Sequence, residues 1–248
     1  METEKTKIDG VGIRYAAARN PGAAQVVLTS PQPESILAFD QHWPALAEEF
    51  DVVAVDLPNH GHSDAVQELT TVSQQAEFFG KVLDHFELDR AHFVGPDVGT
   101  PLSLRFMADN PDGLASAVVG DAGCVGDVEG SATLRSLIYR PWFRSLIAAM
   151  GGANYVRSAA RQAYKIYKPP KHVLRDYIDG YRDKAKIRGA LGFLGSYPDE
   201  TPALERDVTQ IETPVLILHG DKDVFSDVNN SRRLHDLLPA SELYVLEG

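Results

Sequence analysis

An aspartate between two glycines is the strongest chemical feature of this sequence. The segment Gly95-Pro96-Asp97-Val98-Gly99 follows a strand-like run at 90–94 and precedes a helical pattern over 98–110. A tight turn from a strand into a helix pushes its central side chain out above the sheet and aims the next backbone N–H into the same space. Asp97 is therefore a candidate nucleophile, since a carboxylate can attack a saturated carbon to give an enzyme-bound ester. The simpler alternative is a glycine-rich turn in which Asp97 only caps the helix.

Three other carboxylates follow apolar runs, and the two that follow the run at 214–218 are candidates for the acid of a catalytic triad. Asp221 and Asp223 follow the run at 214–218, and Asp121 follows the run at 115–119. An acid in such a position holds a neighbouring imidazole in one tautomer and stabilises its charged form. Each of the three has the alternative of being a solvated loop carboxylate.

Short apolar runs alternate with longer helical patterns, which predicts an α/β fold with a mostly parallel central sheet flanked by helices. The predicted strands are 25–29, 51–55, 90–94, 115–119, 214–218 and 242–246, with 13–16 as an earlier edge strand. The predicted helices are 35–50, 72–86, 98–110 and 226–238. Ligands of such sheets bind at the carboxyl ends of the strands, which is where Asp97 and Asp223 fall.

The alternation stops after Gly120 and resumes near residue 208. We predict a helical lid over residues 122–207, inserted into a core domain of residues 1–121 and 208–248. Between residues 131 and 190 there are thirteen Lys and Arg against three Asp, a charge of +10, and the total of −11 leaves −21 for the remainder. This reversal of charge supports a separate structural unit.

Composition narrows the classes of partner. The net charge of −11 argues against nucleic acid. The charged N-terminus lacks the apolar region of a signal peptide, and no apolar run is long enough to span a membrane. With the single cysteine, Cys124, these features lead us to expect a cytoplasmic protein with no membrane partner. The sequence has no phosphate-binding glycine loop and no cluster of metal ligands, so we expect neither a cofactor nor a metal.

Several segments together resemble the α/β-hydrolase superfamily. They are Ser30-Pro-Gln-Pro-Glu-Ser35, Trp43, the stretch from Asp51 to Asp64, the turn at Asp97, and Gly220-Asp-Lys-Asp223. An aspartate at this turn resembles the branch of haloalkane dehalogenases, haloacetate dehalogenases and epoxide hydrolases, since esterases and lipases usually carry serine there. The resemblance covers nearly the whole chain outside the predicted lid. It implies Asp97 as nucleophile and favours Asp223 over Asp221 as the acid, with Asp121 at an alternative acid position.

The resemblance also implies a histidine base a few residues beyond the last strand. Here the run at 242–246 is followed only by Glu247 and Gly248. We therefore expect a truncated sequence, with the catalytic histidine after Gly248. His60 and His62 lie in a loop that is usually structural, and His219 is a less favoured substitute base.

Two backbone N–H groups, those of Gln32 and Val98, form the oxyanion hole that the resemblance implies. Haloalkane dehalogenases and many epoxide hydrolases carry a tryptophan at the position of Val98, where its N–H binds a leaving halide. Haloacetate dehalogenases often have arginine there. The valine therefore counts against ordinary haloalkanes.

Aromatic and basic residues of the predicted lid are candidates for contacting a substrate. The aromatic candidates are Trp142, Tyr155, Tyr164, Tyr167, Tyr177 and Tyr181, with Trp142, Tyr164 and Tyr167 preferred. A pair of lid tyrosines donating to an epoxide oxygen resembles epoxide hydrolases, although such rings could simply pack the lid onto the core. Arg157 and Arg161 share a helix face and could bind an anionic substrate, or they could be solvated or paired with the acidic body.

These observations lead to one preferred function and three alternatives. We expect a hydrolase that acts on a small epoxide or organohalide through an ester at Asp97, with the epoxide slightly favoured. The alternatives are a lyase or cyclase on the same scaffold, an ester-type hydrolase, and a catalytically degenerate ligand-binding protein. The sequence leaves the oligomeric state open.

Overall fold

The computed structural model describes residues 1–248, which form eight strands and nine α-helices. The strands are β1 (Glu4–Ile8), β2 (Val11–Ala18), β3 (Gln25–Thr29), β4 (Asp51–Val55), β5 (His92–Val94), β6 (Ser116–Gly120), β7 (Val215–Gly220) and β8 (Ser241–Leu246). The helices are α1 (Trp43–Glu49), α2 (Val72–His85), α3 (Gly99–Asp109), α4 (Ala132–Tyr139), α5 (Pro141–Met150), α6 (Gly152–Ala163), α7 (Lys171–Gly180), α8 (Lys184–Asp207) and α9 (Val228–Leu237). None of these helices combines the length and the apolar character needed to cross a bilayer.

The strands form one sheet in the order β1-β2-β4-β3-β5-β6-β7-β8. Strand β2 pairs antiparallel with β1 and β4, and all other neighbours are parallel. The mostly parallel sheet flanked by helices is therefore confirmed. Strand β1 was not predicted because four of its five residues, Glu4-Lys-Thr-Lys7, are polar, as is common at a sheet edge.

The central strands are covered on both faces, which explains their unbroken apolar runs. Val27 packs into a cluster with Phe79 of α2 and Leu104 of α3, whereas Val26 packs into a cluster with Trp43 of α1. Successive side chains of a strand point to opposite faces, so these two clusters lie on opposite sides of the sheet. Burial on both faces is typical of parallel sheets.

The predicted helix over 35–50 forms as two shorter pieces. A 3₁₀ helix covers Ile36–Phe39, with the Ser35 side chain accepting from the Leu37 N–H, and α1 begins at Trp43. Pro44 occupies the first turn of α1. Proline is tolerated there because the first N–H groups of a helix have no partner within the helix, but it would interrupt a continuous helix.

Five helices, α4 to α8, lie between β6 and β7, and we call residues 131–207 the helical insertion. Its apolar side chains form a cluster of their own that also includes Val98, beside the turn after β5. Helix α8 belongs to both units, since Tyr197 packs in this cluster and Leu204 packs with the sheet. Cys124 also packs with the sheet.

A network of polar contacts fixes α7 of the insertion to the core. The Asp176 carboxylate accepts from Arg14 Nη1 at 2.9 Å and from Ser35 Oγ at 2.5 Å, and it lies 3.2 Å from His62 Nε2. Arg14 also lies 3.6 Å from the buried carboxylate of Asp56. One carboxylate on α7 thus joins three separate segments of the core.

Candidate active site

The turn that carries Asp97 joins the end of β5 to the start of α3. Asp97 has a φ of 56°, in the left-handed region that non-glycine residues rarely adopt. A Cβ added at Gly95 would lie 2.5 Å from Thr29 Oγ1, and one added at Gly99 would lie 2.7 Å from the same atom. The two glycines are therefore required by close packing against β3, and the strained turn presents the Asp97 side chain above the sheet.

The Asp97 carboxylate is held by two backbone N–H groups. The Gln32 N–H donates to Asp97 Oδ2 at 2.7 Å, and the Val98 N–H also donates to the carboxylate. These are the two groups that the sequence analysis assigned to an oxyanion hole. In this structure the hole is filled by the carboxylate of the protein itself.

Gln32 is in turn held by a buried histidine. His60 Nε2 lies 3.1 Å from the side-chain amide of Gln32, and His60 Nδ1 lies 3.0 Å from the carbonyl oxygen of Pro58. Burial lowers the pKa of His60 to about 4, so this imidazole is neutral at pH 7. His60 therefore holds the Gln32 side chain and does not lie in the cavity beside Asp97.

A cavity of about 520 Å³ opens above the turn, between the sheet and the helical insertion. Its charged lining residues are all acidic: Glu34, Asp97, Asp121 and Asp223. No lysine, arginine or histidine lines it. The remaining lining is largely apolar, with Leu134, Leu137, Ile147 and Val156 among its members. Such a cavity suits a neutral, mostly apolar small molecule.

The surroundings of Asp97 bring its titration close to neutral pH. Burial raises the pKa of Asp97 to about 7, against the stabilising N–H groups of Gln32 and Val98. The negative charges of Asp223 and Glu34 add to the rise. The Asp97 carboxyl therefore changes its charge near pH 7, and perturbed pKa values of this kind are common among catalytic residues.

Of the three candidate acids, two line the cavity. Asp223 is held at the cavity wall by the Phe225 N–H, which donates to Oδ1 at 2.7 Å, and Asp121 Oδ1 accepts from the Gly220 N–H at 3.2 Å. Asp221 lies outside the cavity. The structure thus brings Asp97, Asp121 and Asp223 together and separates Asp221 from them.

His219 is packed beneath the two acids and is committed to other partners. Its Nδ1 lies 2.7 Å from Ser231 Oγ, its Nε2 lies 3.1 Å from the Ser226 carbonyl oxygen, and the side chain is fully buried. Side-chain atoms of Asp121, His219 and Asp223 lie within 4.8 Å of one another, the kind of grouping that can hold a metal ion. Because both ring nitrogens already contact serine oxygens, His219 is available neither as the substitute base nor as a ligand without rearrangement.

Among the tyrosines that the preferred set of site residues omits, Tyr155 and Tyr197 have pKa values affected by the charge of Asp97. Tyr155 on α6 lines the cavity, and its burial together with the Asp97 charge raises its pKa to about 12. Tyr197 on α8 has a pKa raised by burial and by the same charge. The sequence indicates Tyr155 only as one of six aromatic candidates of the lid and does not indicate Tyr197. Nothing in the local sequence distinguishes a ring that faces a cavity from one that fills a core.

The preferred lid residues divide between the cavity and the outer surface. Tyr164 lines the cavity and donates a hydrogen bond to Glu34. Tyr167 is about half exposed and contacts Gln41 instead. Trp142, Arg157 and Arg161 are exposed and lie outside the cavity. Helix α6 turns Tyr155, Ala159 and Ala163 toward the cavity. Arg157 lies two positions after Tyr155 and therefore points to another face of the helix.

Comparisons with known proteins support a hydrolase of the same fold. The alpha/beta hydrolase fold family matches residues 33–248. The uncharacterized hydrolase YugF of Bacillus subtilis is 24% identical over 96% of this chain and 87% of its own length. A dihydrolipoyllysine-residue acetyltransferase component of the acetoin cleaving system of Pseudomonas putida is 25% identical over 98% of this chain, which spans 62% of that relative. The enol-lactonase of Burkholderia xenovorans superposes with a TM-score of 0.80 at 17% identity, over 98% of this chain and 91% of its own. With most of its length matched, the chain belongs to the alpha/beta hydrolase fold family.

Proposed function

We propose that this protein is a hydrolase that forms an ester between Asp97 and a small neutral substrate, with epoxides favoured over organohalides. The proposal rests on the Asp97 carboxylate, which is held by the Gln32 and Val98 N–H groups at the base of the cavity. The lining of this cavity is largely apolar, and its charged residues are all acidic. A fixed carboxylate aimed into a cavity is suited to in-line attack on carbon.

The hydrogen bond from Gln32 distinguishes the two carboxylate oxygens. Oδ2 is hydrogen bonded to Gln32, which leaves Oδ1 as the attacking atom. When Oδ1 forms a bond to an epoxide carbon, the C–O bond of the ring breaks and the epoxide oxygen takes up a proton. The Tyr155 hydroxyl lies in the same cavity and is the proposed donor, with Tyr197 as a second hydroxyl near the carboxylate.

During hydrolysis of the ester, the same two N–H groups would stabilise the oxyanion that forms. Attack by water on the ester carbonyl places negative charge on Oδ2, which already lies at the Gln32 N–H. The water needs a base, and we propose that a histidine following Gly248 provides it, with Asp223 as its carboxylate partner. The hydrogen bond from Phe225 to Asp223 would keep that partner fixed at the cavity wall.

The charge of the cavity favours epoxides over halides and neutral substrates over anions. Glu34, Asp121 and Asp223 would repel a departing halide or a carboxylate-bearing substrate, and no cation lies in the lining to offset them. Arg157 and Arg161, considered as anion-binding residues, lie outside the cavity. An epoxide opens without releasing an ion, because its oxygen stays attached to the substrate.

The helical insertion is proposed to act as the lid of the cavity. Its helices supply Leu134, Ile147, Tyr155 and Tyr164 to the lining. The domain limits of 122–207 for the lid, and 1–121 with 208–248 for the core, remain predictions. The packing of Cys124 and Leu204 with the sheet suggests a slightly shorter lid.

A direct experiment is to look for the ester. The protein would be incubated with a terminal epoxide and with a 1-haloalkane of the same carbon skeleton, then digested and analysed by peptide mass. We expect an adduct on the peptide containing Asp97, formed faster with the epoxide, and none in Asp97→Asn, which keeps the shape of the side chain. Adducts found only at other residues would overturn the proposal.

A second candidate function uses Asp97 as a general base in a lyase or cyclase reaction. It is favoured by the pKa of about 7, which suits proton transfer at neutral pH. This candidate predicts turnover of a substrate with an acidic C–H and no covalent adduct at Asp97. The mass experiment therefore separates the two.

A further inference from the structure

One face of α5 presents apolar side chains to the exterior. Trp142, Leu146 and Met150 are 61%, 48% and 57% exposed. They follow one another at intervals of four residues, so they form a stripe along one side of the helix. The other exposed residues of this helix, Pro141, Ser145 and Ala149, are uncharged. A three-turn surface without a single charge is unusual on the outside of a protein whose residues are 24% charged.

The surroundings of this stripe are strongly basic. Residues 131–175 contain nine Lys and Arg and no Asp or Glu. Helix α5 packs against α4 and α6. Exposed arginines lie on two neighbouring helices and at the start of α5: Arg135 on α4, Arg140 immediately before α5, and Arg157 and Arg161 on α6. The apolar stripe therefore belongs to a basic part of the molecule, while the rest of the chain is acidic.

We propose that the α5 face binds the surface of an anionic lipid bilayer. An interfacial helix buries an apolar side, often with tryptophan, at the level of the headgroups, and Lys and Arg beside it are attracted to anionic lipids. The charge asymmetry of the molecule would orient this face toward the membrane and the acidic body away from it.

The same charges disfavour a second copy of the chain as the occupant. A symmetric contact through this face would bring two basic surfaces together, since a two-fold interface uses the same patch on both partners. Like charges across an interface oppose association. A lipid surface needs no matching pocket. It can bury the apolar side chains of the stripe and pair its anionic headgroups with the arginines.

Membrane binding would place the cavity next to the lipid. Met150, at the end of the stripe, also lines the cavity, as does Ile147 one turn earlier. An apolar substrate dissolved in the bilayer would then reach the cavity without crossing water. The expectation of no membrane partner rests on the lack of a spanning segment, a criterion that does not apply to attachment at the surface.

The test is binding of the 248-residue protein to lipid vesicles by sedimentation at low and high salt. We expect binding to vesicles of phosphatidylglycerol and phosphatidylcholine, little binding to phosphatidylcholine alone, and release by salt. Trp142→Gln with Leu146→Gln, and separately Arg157→Gln with Arg161→Gln, should each lower partitioning by at least about tenfold. Tyr244→Gln is the matched control, because Tyr244 is also 61% exposed but lies on β8 of the acidic body.

Tryptophan fluorescence provides a second readout. Trp43 is buried in the core, so a blue shift on addition of anionic vesicles would report Trp142 and should be absent from Trp142→Gln. No binding of the wild-type protein to anionic vesicles at low salt, or an equal loss in the Tyr244→Gln control, would overturn the inference. So would a dimer in sedimentation equilibrium that the Trp142 and Leu146 changes dissociate, since the face would then belong to a second copy.

Discussion

The backbone N–H of Gln32 donates a 2.7 Å hydrogen bond to Oδ2 of Asp97, a residue 65 positions later in the chain. Gln32 follows β3 and Asp97 follows β5, and these strands are parallel neighbours in the sheet. Their carboxyl ends therefore meet at one edge, and the contact follows from the topology. It places the carboxylate in the position that a substrate oxygen would occupy in an enzyme with a serine at the turn. This arrangement favours attack by the carboxylate itself over ester-type hydrolysis by a different nucleophile.

Ester formation should depend on pH through the ionisation of Asp97. With a pKa of about 7, the carboxylate form is the minor one at pH 5 and the major one above neutrality. We expect the rate of Asp97 ester formation to rise about tenfold per pH unit below pH 6 and to level off above pH 8. Stopped-flow or quenched-flow measurement of adduct mass against pH would test this. A rate independent of pH from 5 to 8 would contradict it.

The same raised pKa predicts that Asp97→Asn stabilises the folded protein at high pH. The folded state binds the Asp97 proton more tightly than the unfolded chain, whose carboxyl titrates near 3.8, so wild-type stability falls as pH rises from about 4 through 7. Asparagine carries no charge and avoids this loss. The gain in unfolding free energy should be near zero at pH 4 and reach at most about 4 kcal/mol at pH 8, an upper limit because the cavity admits water. Thermal melts of both proteins at these two pH values measure it.

Tyr155→Phe should slow the first chemical step with epoxides. Loss of the hydroxyl removes the proposed proton donor to the epoxide oxygen, and general acid catalysis typically contributes about 10²–10⁴-fold. We expect ester formation from an epoxide to fall by about 10²-fold, with ester formation from a haloalkane unchanged because halide departure needs no proton. Tyr167→Phe is the control, since Tyr167 contacts Gln41 outside this cavity. Equal losses with both substrates would indicate a packing role for Tyr155.

The sequence predicts those parts of the fold and site whose local residue pattern reflects their surroundings in the structure. The strand runs were predictable because burial on both faces requires unbroken apolar segments such as 52–55, all buried. The turn at Asp97 was predictable because close packing permits only glycine at residues 95 and 99. The positions of Tyr155 and Tyr197 were not, since their approach to Asp97 depends on how α6 and α8 pack over the sheet. For the same reason the sequence could not tell that Arg157 and Arg161 lie outside the cavity.

The acid was predictable only in part. The resemblance favoured Asp223 over Asp221, which follows the same strand, but Asp121 reaches the same cavity from the end of the neighbouring strand. Parallel strands bring their end residues together whatever their separation in sequence, so two carboxylates can compete for one role. The sequence pattern does not distinguish Asp121 from Asp223, and kinetic measurements on variants of the two aspartates are needed.

Asp223→Asn should slow decay of the Asp97 ester more than its formation. Only the hydrolysis step needs an activated water, and an acid that orients the base acts on that step alone. In a protein that carries the proposed histidine, we expect a loss of about 10²-fold or more in ester decay, measured by the lifetime of the Asp97 adduct, and little change in its formation. Asp221→Asn, outside the cavity, should change neither. If Asp121→Asn instead reproduces the effect, the acid is Asp121.

The contact between α7 and the core gives a prediction about stability that is independent of catalysis. Burial acts to raise the pKa of Asp176, but hydrogen bonds from His62, Arg14 and Ser35 outweigh it and hold the pKa well below its usual range. A carboxyl with a depressed folded pKa stabilises the fold at pH values above its unfolded pKa, and this contribution is lost as pH falls. Asp176→Asn should therefore cost about 1–3 kcal/mol at pH 7, and less as the pH falls below about 4.

The matched control for this change lies one turn further along α7. Asp179 pairs with Arg182 at the surface at 2.7 Å, with both side chains more than a third exposed, and such pairs contribute about 0–1 kcal/mol. Asp179→Asn should therefore leave the midpoint of denaturant unfolding nearly unchanged at both pH values. Because Asp176 joins the insertion to three core segments, its asparagine variant should also expose the amides of α7 to faster hydrogen exchange, while those of β3 and β4 keep their protection. If both variants lose the same stability, or if α7 exchanges no faster in Asp176→Asn, the insertion is held by apolar packing and not by this network.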